Sequence, residues 1–119
     1  MFEWSATIEG IRPISKKNSK RIVGKRLIAS EAFMKFERLA LPILAHQAPA
    51  KPYTGEVSLL IHVYMKGKIT MDWDNAGSSW SDLLQDAGVI LDDDQVMDGR
   101  VIKHRGAPDW RCEILVQSH

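Results

Sequence analysis

Eight of the chain's fifteen acidic residues fall within residues 71–98: Asp72, Asp74, Asp82, Asp86, Asp92, Asp93, Asp94 and Asp98. The same stretch has no Lys, Arg or His. Carboxylates gathered this closely repel one another unless a cation lies between them. Trp80, Leu83, Leu84, Val89, Ile90 and Leu91 are threaded among the acids, which places the carboxylates on ordered elements and not on a solvated tail. Oxygen donors without Cys or His select a hard ion, Mg²⁺ or Mn²⁺.

The spacing refines this. Asp72 and Asp74 are two apart, so in extended chain both point to one side, with Trp73 turned away into packing. Asp74 and Asn75 open a helix, where a carboxylate suits the positive end of the helix dipole. Asn75 and Asp82 are seven apart and share a helix face, opposite the apolar face of Trp80, Leu83 and Leu84. The Asp-rich turn after this helix is placed to return Asp93 to the same cluster. A calcium-binding loop starting at Asp72 has its glycine, Gly77, at the sixth position. It fails at Ala76 and at Leu83, where the loop needs an oxygen ligand and a bidentate Glu.

A second charged segment complements the first. Arg12, Lys16, Lys17, Lys20, Arg21, Lys25 and Arg26 form a basic block with no acid between Ile11 and Ser30. The net charge is only +1, so it is the segregation of charge that matters. A basic block suits the phosphates of a nucleic acid. Carboxylate-held Mg²⁺ beside it points to phosphodiester chemistry, with the ion activating water and stabilising charge on the phosphate. No Gly-rich phosphate loop, G-x-S-x-G or His pair at metal spacing is present.

These groups need a scaffold. The 119 residues argue for one domain, with 45% apolar and 26% charged residues as in ordinary globular proteins. The single cysteine, Cys112, excludes an internal disulfide and sits in an apolar alternating run as packing. No stretch approaches the length of a membrane span and residues 1–10 do not read as a signal peptide, so a cytoplasmic location is expected.

Residues 2–11 alternate as a strand with one buried face. The basic segment reads as a loop with a short hairpin, 21–23 against 26–28, around Gly24. Ser30 caps a helix whose buried face is Phe33, Phe36, Leu39, Ala40, Ile43 and Leu44, with Pro42 kinking or shortening it. Residues 55–65 form the strongest strand, apolar on one side and partly so on the other, which makes it central. His62 on its second side reads as a hydrogen-bonded sheet histidine. A second helix runs 75–86 and ends at Gly88, before two more strands, 96–104 and 110–117. The order β-α-β-α-β-β predicts an α+β domain, a mixed sheet with two main helices packed on it.

The pattern Asp72-x-Asp74-Asn75, then Asp82-x-Leu84, then Asp92-Asp93-x-Gln95-Val96 resembles the RusA-like Holliday-junction resolvases, crossover-junction endodeoxyribonucleases often carried by phages and prophages. Residues Pro13 to Arg21 are similar to that family's basic segment. The resemblance implies a small homodimer that binds four-way DNA junctions and nicks strands symmetrically with Mg²⁺ or Mn²⁺. It implies Asp72, Asp74 and Asp93 as catalytic, metal-binding carboxylates and Lys16, Lys17 and their neighbours Lys20, Arg21, Lys25 and Arg26 as DNA contacts, while the shared helix face makes Asn75 and Asp82 supporting groups. One residue departs from the pattern. The family usually carries Lys where this chain has Ser78. Lys66, Lys68, Lys103 and His104 are the candidate substitutes; failing these, the chain is a weakly active or inactive junction-binding protein.

Overall fold

The computed structural model describes residues 1–15, 20–23, 26–29 and 31–119, with the backbone alone described at 20–23 and 26–29. The elements in order are β1 (Glu3–Glu9), β2 (Lys20–Val23), β3 (Arg26–Ala29), α1 (Glu31–Gln47), β4 (Val57–Lys66), α2 (Trp73–Asp86), a 3₁₀ turn (Asp93–Gln95), β5 (Val96–Ala107) and β6 (Arg111–Ser118). Four strands form a mixed sheet in the order β1-β6-β4-β5. β6 runs antiparallel to both β1 and β4, while β4 and β5 are parallel. β2 and β3 make the separate hairpin, with Val23 opposite Arg26. The expected α+β class and element order hold.

The parallel pairing of β4 and β5 requires a crossover, and α2 supplies it. β4 is central, as its two-sided apolarity predicts. Val57, Leu59, Ile61, Val63 and Met65 are buried on one side, and residues 58, 60, 62 and 64 are half-buried on the other. The buried side joins Trp4, Ala6 and Ile8 of β1 and Cys112, Ile114 and Val116 of β6 to the helices. The helices meet through Phe36 and Trp80, edge to face at 5.2 Å. Trp80 is fully buried, so truncating it to alanine costs about 3–5 kcal/mol. Burial pushes the Cys112 thiol up to about 12, which leaves it as packing.

Two details of α1 differ from expectation. The helix runs through Pro42 to Gln47 without shortening, and Leu39 is exposed. The buried residues Phe33, Phe36, Ala40 and Leu44 recur at three, four and four. That stripe is too narrow to include Leu39. The capping residue assigned to α1, Ser30, lies outside the described residues. α2 ends as anticipated: Gly88 takes a positive φ of 82° and its N–H bonds the carbonyl of Gln85 at 3.1 Å.

Candidate active site

α2 begins two residues earlier than the acid spacing suggests, and this reorganises the site. Asp72 is the N-cap, with an extended backbone and no side-chain capping bond, so its exposed carboxylate is not spent on the helix. Trp73 is the first helical residue and 63% exposed; the inward-facing Trp73 inferred from extended alternation is wrong. With the helix already formed, residues 74, 77, 78 and 81 follow a period of three to four and share one side. That side lines a cleft of about 280 Å³ against β4 and β5, with Leu59, Ile61, Val101 and Asp93 among the other walls. The backbone approach is close: a Cβ added at Gly77 would lie 3.4 Å from Cγ2 of Val101.

Asp93 reaches this cleft from the 3₁₀ turn between α2 and β5. Asp92 caps that turn, its Oδ1 accepting from the N–H of Asp94 at 3.1 Å. Gln95 fastens it. Its Oε1 accepts from the N–H groups of Leu91 and Asp92 at 2.8 and 2.9 Å. Its Nε2 donates to the carbonyls of Tyr53 and Gly55, both at 2.8 Å. A single amide thereby saturates four backbone groups and ties the acidic turn to the strand entering the sheet. A hydrogen bond shared with Asp92, slight desolvation and the charges of Asp92 and Asp94 hold the carboxyl of the exposed Asp93 above the usual aspartate value.

The structure thus brings Asp74 and Asp93 to one cleft, with Asp72 exposed at its helical end. Asp82 is elsewhere. It lines a separate hollow with Phe33, Glu37, Gln85 and Asp86. The carbonyl oxygen of Asn75 accepts from Ser79 Oγ at 2.5 Å and from Ser78 Oγ at 3.3 Å. Asp98 pairs with Arg100 at 3.3 Å. Among the described residues no three His, Cys, Asp or Glu side chains are gathered closely enough to make a ready-made metal cage. The donor chemistry still fits a hard divalent cation. Mg²⁺ is commonly held by one or two carboxylates and completed by waters and substrate phosphates, and two carboxylates in a cleft meet that need.

Ser78 lines the cleft, and its Oγ lies 3.2 Å from that of Ser15. Ser15 is buried and directly precedes the basic segment, so α2 anchors the root of that segment. Lys16, Lys17 and Lys25 lie outside the described residues, as do the side chains of Lys20, Arg21 and Arg26.

The four candidate cations are placed differently. Lys103 shares the cleft side of β5 with Gly99 and Val101, and its Nζ donates to the carbonyl of Met71 at 2.9 Å. His104 lies on the other sheet face, its Nε2 2.9 Å from Nδ1 of His62, which gives His62 the expected hydrogen bond. Lys66 and Lys68 are exposed where the end of β4 meets the end of β5. Arg100 stands at the cleft rim, but strand alternation turns it with Leu60 to the open face, where it pairs with Asp98.

No helix among the described residues is long and apolar enough to cross a membrane. In comparison with protein-family models, residues 10–117 match the model described as endodeoxyribonuclease RusA. No curated protein matches the chain.

Proposed function

This chain belongs to the RusA endodeoxyribonuclease family, and from that premise we propose that it resolves four-way DNA junctions by Mg²⁺- or Mn²⁺-dependent phosphodiester hydrolysis. The observation that carries the reading is the meeting of Asp74 and Asp93 in one cleft, within the span the family model matches.

Asp72, Asp74 and Asp93 are the residues that would hold the cation, with the scissile phosphate completing its oxygen shell. When bound, the ion supplies Lewis acidity to the phosphate and to the attacking water. The chain's own groups do the rest. Asp93 must be ionised to hold the cation, and in the metal-free protein its neighbours Asp92 and Asp94 keep its carboxyl above the usual aspartate value. Lys103 is the cation we assign to serve where Ser78 carries no charge: its bond to the Met71 carbonyl uses one of its three N–H donors and holds its charge at the residue before Asp72 in the chain. The walls formed by Leu59, Ile61 and Val101 lower the local dielectric, which strengthens each charge–phosphate contact. Asn75 supports the start of α2. Asp82, which lines the separate hollow with Phe33 and Glu37 of α1, has no part in this reading. Lys16, Lys17, Lys20, Arg21, Lys25 and Arg26 bind backbone phosphates in this reading; what supports it is that Ser15, the residue before them in the chain, bonds Ser78 of the cleft. A two-fold junction calls for two such sites related by symmetry, hence a homodimer.

The test is cleavage of a synthetic four-way junction against a linear duplex of the same arm sequence, with Mg²⁺, with Mn²⁺ and with EDTA. Paired nicks in the junction alone, lost in EDTA, are expected. Junction binding without cleavage under every metal would instead identify a silent junction binder, the reading that Ser78 favours.

A further inference from the structure

We infer that Trp73 is a base-stacking residue: its indole takes up an unstacked nucleobase at the branch point of the DNA, beside the phosphate held in the cleft. The inference rests on the junction-nuclease reading and extends it from the phosphate to the neighbouring base.

The chain has four tryptophans, and three are core: Trp4, Trp80 and Trp110 expose 9%, 0% and 6% of their surface. Trp73 exposes 63%. An indole in water gives up a large burial free energy, so its exposure here needs a reason. Its place supplies one. Trp73 is the first residue of α2, lies between the exposed carboxylates Asp72 and Asp74, and lines the same cleft as Asp74, Ser78 and Asp93. The helix start fixes its backbone, so the ring is held at the mouth of the cleft and not on a mobile loop. A phosphate bound between Asp74 and Asp93 therefore has the indole as a near neighbour.

An indole neither neutralises a phosphate nor binds a divalent ion. It offers a π face, which every nucleobase matches. In a continuous duplex, neighbouring pairs satisfy those base faces. At a four-way branch point the stacking is interrupted, and unpairing a base there is cheaper than within a duplex. Stacking on Trp73 thus contributes to the branched substrate and little to the linear one. This gives preference for DNA shape without reading sequence.

Tryptophan emission tests this, because the one exposed indole dominates collisional quenching by acrylamide. The full-length protein is titrated in EDTA with a four-way junction and with a linear duplex of the same arms, while anisotropy of labelled DNA reports affinity. Saturating junction is expected to alter the emission and shield it from acrylamide, and the duplex to do neither. Trp73→Leu should lose that response and bind the junction roughly five- to a hundredfold more weakly, with duplex affinity unchanged. Trp73→Phe should restore most of the junction affinity. An unchanged thermal midpoint in Trp73→Leu verifies the fold.

Wild-type junction affinity in Trp73→Leu, with wild-type emission indifferent to junction, would overturn the stacking role while leaving junction cleavage intact. Emission that follows protein concentration and ignores DNA would also overturn it, assigning the indole to a contact between copies. Absence of both junction preference and junction cleavage in the wild type would instead defeat the nuclease reading itself.

Discussion

The Nζ of Lys103 donates a 2.9 Å hydrogen bond to the carbonyl oxygen of Met71, the residue immediately before Asp72. This bond ties β5 to the start of α2, so the chain entering the first acid pair is set from the strand that follows the second acid cluster. One cationic side chain both positions the helix start and brings charge to the carboxylate end of the cleft.

Lys103→Met should lower single-turnover cleavage by about a hundredfold, the scale of removing one charge-stabilising donor. Junction affinity should fall far less. Lys103→Arg keeps the charge and a donor and should recover part of the rate. Parallel measurement of cleavage and anisotropy separates a role in the reaction from one in binding.

Asp93→Asn should abolish cleavage and make the metal-free protein more stable at pH 7. The sign follows from the raised pKa of Asp93. A carboxyl that is harder to ionise in the folded state favours folding below its unfolded pKa, and that benefit is lost as pH rises through the folded pKa. At pH 7 the wild type bears the repulsion among Asp92, Asp93 and Asp94, and Asn removes it. Thermal melts should show the variant ahead at pH 7 and the two proteins converging below about pH 4. Adding Mg²⁺ should raise the wild-type midpoint and leave the variant's unmoved.

Gln95→Leu should cost about 2–4 kcal/mol in denaturant unfolding, since the amide's four hydrogen bonds to backbone groups are lost together. Cleavage should drop with it even under conditions where the variant remains folded, because the turn carrying Asp93 is no longer fastened to residues 53 and 55.

Lys16→Ala combined with Lys17→Ala should weaken binding to junction and duplex alike. The slope of log affinity against log salt should fall by about two, nearly one for each phosphate contact removed. An unchanged slope would remove these lysines from the interface.

Much of the scaffold was legible because it rests on burial. The alternation of β4 marked both its faces and its central place, and a glycine between two short apolar–basic runs marked the β2–β3 pairing. Trp73 was misread for a specific reason. Alternation assumes a strand continues, and at Asp72 the chain has already become a helix cap, which changes the period from two to between three and four. The glutamine after the second acid cluster stood out as part of a pattern, but its partners at Tyr53 and Gly55 are forty residues away and leave no local trace. The same holds for Ser15 and Ser78, sixty-three residues apart. The division of the acids between two hollows depends on how α1 packs on α2, which acid spacing alone does not encode.

The sheet order carries a consequence for biosynthesis. β6 follows β1, β4 and β5 in the chain, yet it lies between β1 and β4. Until it inserts, β1 has no partner in that sheet and β4 lacks one of its two neighbours. While the ribosome is still making residues 111–118, a nascent chain already contains every acid of the cleft but not the sheet that holds them in place. Completion of the sheet behind the cleft therefore waits on residues 111–118, and a fragment ending before them carries the acids without the full scaffold.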